Sequence, residues 1–244
     1  MSSGNASRSQ GRRGPKGTND MLHPVRAVIF DVYHTLLSVG PGPEDAAEQW
    51  VALWQENFGP APSLSLLDFD EACRVVVGQD HARRLLDGVA WPEVDWPSVA
   101  VGAAADLAGL SPEKLDLFLS SHAKLQRRTH AMPGAAAFLT KIRASGILTG
   151  IASNAQRYTF AELTAAGIPP DSFAPDLCFW SFEHGFSKPD PAVFAPLTKK
   201  LAAWGIAPPE TLMIGDRPDN DISPARAAGW QTWLFEGSWP DLGT

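Results

Sequence analysis

Five short apolar runs recur along the chain: VRAVIF at 25–30, GILTGIAS at 146–153, PDLCFWS at 175–181, TLMIGD at 211–216 and WQTWLF at 230–235. Each is bounded by turn residues and is of strand length. Helix-patterned stretches at 134–145, 156–166, 190–204 and 219–228 alternate with them. Two strands with a helix between them cannot close as a hairpin; they lie parallel, with the helix crossing over one face of the sheet. The alternation therefore predicts an α/β fold: a Rossmann-like parallel sheet with helices on both faces.

Residues 41–128 break that rhythm. The stretch PEDAAEQWVALWQENFG places Trp50, Val51, Leu53, Trp54 and Phe58 at helical spacing and ends at a glycine. Further helices are expected near 67–87, 97–108 and 111–127, and Pro133-Gly134 marks the return to the alternating pattern. The expected organisation is an α/β core formed by 24–40 and 129–244, with an all-helical insert at 41–128. Trp50 and Trp54 lie one helical turn apart, and Trp91 and Trp96 flank an acidic PEVD loop. Aromatics so placed are expected to fill a core rather than meet a ligand.

Composition narrows the function classes. The 244 residues are 44% hydrophobic and 19% charged, and no apolar run approaches the roughly 18 residues of a membrane helix, so a membrane protein is not expected. The formal net charge is −7, and Arg8, Arg12, Arg13 and Lys16 lie in the first 23 residues with Asp20 as the lone acid. The remaining body is more acidic still and repels a polyphosphate backbone, which argues against nucleic acid. Residues 1–23 lack the apolar core of a secretory signal and are expected to be a disordered tail. Cys73 and Cys178 are far apart, without a CxxC pattern or a histidine cluster. They are expected to be buried thiols of a cytoplasmic, reducing compartment.

Chemistry in a parallel sheet gathers at the carboxyl ends of the strands. Here those ends carry Asp31, Ser153 with Asn154, Lys188 in the loop after LCFWSFEHG, and Asp216 opening GDRPDND. Taken singly, each could be a turn, a helix cap or a solvated loop residue. Taken together they supply a carboxylate nucleophile, hydroxyl and amide donors for an oxyanion, a lysine for charge, and an acidic cluster for a divalent metal. That set suits phosphoryl transfer.

IFDVYHTLL, IASNA, FSKPDPAVF and IGDRPDNDISPARAAGW, in that order, resemble the haloacid dehalogenase-like hydrolase superfamily from about residue 25 to the C-terminus. The resemblance implies that the insert is a cap domain. Asp31 would be the nucleophile of a covalent intermediate, Ser153 and the backbone beside Asn154 would hold the transferring group, and Lys188 would offset charge. Asp31, the carbonyl of Tyr33, Asp216 and Asp221 would ligate Mg²⁺, a hard cation suited to oxygen donors.

Tyr33 departs from the phosphatase pattern, in which an aspartate two residues after the nucleophile serves as acid and then base. A phenol with a pKa of about 10 can donate a proton at pH 7 but is mostly in the wrong state to accept one. The dehalogenase branch usually carries a tyrosine there. It also replaces the metal motif by a serine-asparagine pattern and places an arginine early in the cap, whereas this chain keeps GDRPDND and has no Arg or Lys between Arg26 and Arg74. The expectation is a Mg²⁺-dependent phosphatase of a small phosphate monoester, working through an aspartyl-phosphate. A 2-haloacid dehalogenase, or a catalytically weak relative that binds a phosphorylated ligand, are the alternatives. His34 is a further acid, base or substrate-binding candidate, with a pKa near 6.5 when unperturbed. His184 and Glu183 are weaker candidates, and His81, His122 and His130 are expected on the surface or hinges of the insert.

Overall fold

The computed structural model describes residues 24–239, so the expectation for residues 1–23 lies outside the described residues. The α/β part holds β1 (Ala27–Phe30), α5 (Ala135–Ala144), β4 (Leu148–Ser153), α6 (Thr159–Ala165), β5 (Cys178–Trp180), α7 (Ser181–His184), α8 (Pro191–Ala203), β6 (Thr211–Gly215), α9 (Ser223–Ala227) and β7 (Gln231–Leu234). The other elements are β2 (Leu37–Pro41), α1 (Ala46–Phe58), α2 (Leu66–Leu86), α3 (Trp96–Ala103), α4 (Pro112–Gln126) and β3 (Arg127–Ala131). All five expected strands form one parallel sheet in the order β5-β4-β1-β6-β7.

The central strand β1 is buried along its whole length because helices cover both faces. Val28 and Phe30 join Leu139, Ile142, Leu163 and Trp239 on one side, whereas Ala27 and Ile29 join Val193, Phe194, Leu197 and Met213 on the other. Phe30 is in register with Ile151 of β4 and Ile214 of β6. This alignment delivers Asp31, Ser153 and Asp216 to the same edge.

Helices α1–α4 enclose a core of their own. Trp50 is fully buried, stacks on Phe69 with 4.9 Å between ring centroids, and donates its indole N–H to the Leu64 carbonyl at 2.9 Å. Ser65 and Ser111 cap α2 and α4 by accepting from the amides of Asp68 and Lys114. Trp50 and Trp54 fill this core, as their spacing suggests.

Several expectations change. The helix expected over 97–108 stops at Ala103 and resumes as a 3₁₀ turn at Ala105–Gly109, and the helix expected over 219–228 opens as a π turn at Pro218–Ile222. That opening turn lets the Asp221 carboxylate swing inward and accept the Arg217 amide at 3.0 Å. His122 is not a surface residue: it is buried against Trp50 and Phe69 and pairs with Asp70 at 2.9 Å. β2 and β3 pair antiparallel where the chain leaves and re-enters the α/β part. Cys73 is buried and Cys178 half-buried, both as free thiols. Among the described residues, no helix is long and apolar enough to cross a membrane.

Candidate active site

At the carboxyl edge of the sheet, Lys188 lies between two carboxylates. Its Nζ donates to Asp31 at 2.7 Å and to Asp221 at 2.5 Å, with all three side chains nearly sealed from solvent. Asp31, Asp216 and Asp221 each bring an oxygen within 4.8 Å of the others. The sharp turn after β6 needs the glycine of IGD, since a Cβ on Gly215 would sit 2.4 Å from the Asp221 carboxylate.

The electrostatics follow from three acids facing one ammonium in a water-poor pocket. Burial, reinforced by Asp221 and Asp216 and opposed by Lys188, pushes the Asp31 carboxyl up to about 6, so it remains ionised at neutral pH. Burial alone would lower the Lys188 pKa, but Asp31 and Asp221 outweigh it and hold the ammonium above its usual range. Asp216, half-buried, is raised by burial and by Asp221, with His34 and Lys188 opposing. The all-oxygen donor set with a residual negative charge fits a hard divalent cation.

Asn154 brackets the backbone of Lys188: its Oδ1 accepts from the Lys188 amide at 2.8 Å and its Nδ2 donates to the Lys188 carbonyl at 3.0 Å. Ser153 is wholly buried, yet its hydroxyl has no hydrogen-bond partner among the described residues. A buried hydroxyl left unpaired costs energy, and here it is free to meet a ligand oxygen. The Thr35 hydroxyl, four residues after Asp31, is buried and unpartnered as well. In the sequence, a threonine within the turn after β1 carries no distinctive signal.

Tyr33 does not join the carboxylate cluster through its hydroxyl. That hydroxyl meets Thr159 at 2.7 Å and Glu162 at 2.5 Å on α6, and accepts from Arg127 at 2.7 Å, whose guanidinium lies 4.4 Å above the ring. Burial and Glu162 raise the phenol pKa above its usual value, outweighing Arg127. Arg127 and Glu162, an ion pair at 3.3 Å, went unnoticed in the sequence because each reads as an ordinary charge near a helix end. His34 is exposed in a left-handed conformation (φ 61°) near Asp216. His184 stacks flat on Phe179.

The class of protein follows from a parallel α/β sheet that carries a lysine-paired aspartate at the end of its central strand, taken with the family to which the sequence is similar. The family model of the haloacid dehalogenase-like hydrolases matches residues 25–229, and the chain belongs to that family. It is 33% identical over 140 residues to a phosphoserine phosphatase of Thermus thermophilus, covering 57% of this chain and 54%, about half, of that protein. It is 31% identical over 212 residues to a phosphoglycolate phosphatase of Thiobacillus denitrificans (84% and 81% of the two chains). It is 27% identical over 223 residues to an (S)-2-haloacid dehalogenase of Pseudomonas sp. (86% and 84%). In fold, it is similar to the crystal structure of a 2-haloacid dehalogenase from Pseudomonas syringae, with a TM-score of 0.53 at 22% identity over 89% of this chain and 90% of that one.

Proposed function

We propose that the protein is a Mg²⁺-dependent phosphatase of a small phosphate monoester, in which Asp31 attacks phosphorus and an aspartyl-phosphate is then hydrolysed. The observation that carries this reading is Asp216. It adds a third carboxylate beside Asp31 and Asp221, more negative charge than Lys188 alone can balance. Asp31, Asp216 and Asp221 would hold the ion, which would neutralise charge on the phosphoryl oxygens. Lys188 lowers the repulsion between Asp31 and an incoming phosphoryl group, and the Ser153 hydroxyl offers that group a donor. Asn154 keeps the lysine in place through its backbone.

The helices of 41–128, crossing to the α/β part along the β2–β3 ribbon, serve in this reading as a cap that closes over the substrate. The thiols of Cys73 and Cys178 suit a cytoplasmic setting. Tyr33, held by three partners on α6 and β3, is a poor acid and a worse base, so hydrolysis of the intermediate is the slow step. A panel of small phosphate monoesters, assayed for phosphate release with Mg²⁺ and with chelator, tests the reading. Mg²⁺-dependent release that Asp31→Asn abolishes supports it, and release that survives this substitution refutes it.

Dehalogenation is the second reading, favoured by Tyr33 and by the likeness to the Pseudomonas dehalogenase. Halide release from 2-chloropropionate in chelator is its signature.

A further inference from the structure

The insert touches the α/β part at a second place besides the β2–β3 ribbon. Residues 91–94, between α2 and α3, run antiparallel to 185–187, the segment immediately before Lys188. The Ser187 amide donates to the Trp91 carbonyl at 2.9 Å, the Glu93 amide donates to the Gly185 carbonyl at 3.1 Å, and Pro92 and Phe186 form a β-bridge. Arg84, near the end of α2, fastens both strands of this contact. Its guanidinium donates to the Glu93 carbonyl at 2.7 Å and to the Gly185 carbonyl. Gly185 has a positive φ of 73°, a conformation that calls for glycine, and a Cβ there would come within 2.8 Å of the Arg84 Nη2 and displace the guanidinium.

The same strap reaches the other catalytic loop. The Glu93 carboxylate accepts from the Val94 amide at 2.9 Å and from the Gln156 side chain at 2.8 Å, and Gln156 donates also to the Val94 carbonyl at 3.0 Å. Gln156 lies two residues after Asn154. The loop is tied once more through Ser181, whose hydroxyl accepts from the Ala155 amide at 2.8 Å and stands beside Glu93. Arg84, Trp91, Glu93 and Val94 of the insert are thus hydrogen-bonded to the two segments that carry Ser153-Asn154 and Lys188.

We propose that Arg84 and Glu93 are positioning residues: through the 91–94 strap they hold the Lys188 and Ser153–Gln156 loops in catalytic register, so that closure of the insert and placement of the lysine are one event. The kinetic part of this proposal rests on the phosphatase reading; the mechanical part does not. An ammonium wedged between two carboxylates has little tolerance for displacement, since a shift of about 1 Å in a catalytic group can cost on the order of 100-fold in rate. Arg84 touches neither Asp31 nor Lys188, so its influence on them must pass through the 91–94 strap and through its own bond to the Gly185 carbonyl.

The test compares Arg84→Met, Arg84→Lys and Glu93→Ala with Arg83→Met, a neighbouring change at an exposed α2 arginine. Hydrogen exchange of the amides of Ala155, Ser187 and Lys188 reads the strap without any substrate. The proposal expects exchange there to quicken by about tenfold or more in Arg84→Met and Glu93→Ala, to recover in part in Arg84→Lys, and to stay unchanged in Arg83→Met. On a substrate that the wild type turns over, kcat should fall by about ten- to a hundredfold in the first two variants, with KM changing less and Arg84→Lys intermediate. Unchanged exchange at these amides overturns the strap. Quickened exchange with unchanged kcat overturns the positioning role. If Arg84→Met does not fold, Arg84→Lys and Glu93→Ala carry the same two readouts. A wild type that releases no phosphate refutes the phosphatase reading, and the exchange result still decides the strap.

Discussion

Replacing Lys188 with methionine keeps an unbranched side chain one atom shorter and removes the only cation, among the described residues, that contacts Asp31 and Asp221 at hydrogen-bonding distance. The side chains of Lys188, Asp31 and Asp221 are 2%, 11% and 1% exposed, so neither acid can turn to water for compensation. Removing one partner of a buried pair costs about 3–5 kcal/mol. For a domain of this size, where 1 kcal/mol moves Tm by about 2–4 °C, the expected fall is about 6–20 °C in chelator at pH 8. The loss depends on pH with a definite sign. Asp31 already titrates near 6, raised by burial against the pull of Lys188, and without Lys188 it titrates higher. A raised carboxyl pKa in the folded state means that the folded protein holds protons more tightly than the unfolded chain. Stability is then fullest below the ordinary carboxyl pKa and is lost as pH rises through the raised one. The gap between wild type and Lys188→Met should therefore be smaller at pH 5 than at pH 8. Added Mg²⁺ should narrow it at pH 8 without restoring turnover. Thermal unfolding followed by circular dichroism at both pH values measures this; an equal shift at both, or one below about 1 kcal/mol, would show that the three groups do not form the buried cluster described.

Other outcomes follow from the same geometry. Mg²⁺ at a hundred times its dissociation constant should stabilise the wild type by about 2.7 kcal/mol, and Asp216→Asn should shrink the shift; calorimetry with and without the ion reads both. Tyr33→Phe should lower stability by about 1–3 kcal/mol, because Glu162 and Arg127 lose a partner, and should change turnover little. Tyr33→Asp should raise phosphatase turnover, by up to about 10²–10⁴-fold, by returning an acid and base to that position; steady-state assays of the two variants separate these effects. Trp50→Ala should cost about 3–5 kcal/mol, measured by urea unfolding, since the indole is buried against Phe69, Trp54 and Phe118.

The sheet was legible in the sequence because β1, β4, β5 and β6 are largely buried and read as short, mostly apolar runs bounded by turns, and the half-exposed edge strand β7 is bounded by turns in the same way. Asp31, Ser153, Lys188 and Asp216 were legible because each follows or neighbours such a run. β3 was not: Arg127–Ala131 contains two arginines and a histidine, and its pairing with Leu37–Pro41 depends on a partner about 90 positions away. The same distance hid the contact between Tyr33 and Arg127, which no local pattern can encode. His122 looked like a surface residue because its neighbours on α4 are polar, whereas packing against Trp50 and a bond to Asp70 draw it inside. Glu93 was visible only as part of an acidic loop; its bonds to Val94 and Gln156 belong to the folded state alone.

The central claim is that Asp31 attacks phosphorus rather than carbon. Acid-quenched protein, taken during turnover of a panel of phosphate monoesters with Mg²⁺ or of 2-chloropropionate with chelator, can be digested and the peptide bearing Asp31 weighed. A phosphoryl group on Asp31, formed with Mg²⁺ and absent in Asp31→Asn, is the expected result. An ester of the haloacid's carbon skeleton on Asp31 in chelator, with no phosphoryl adduct from any monoester, would contradict it.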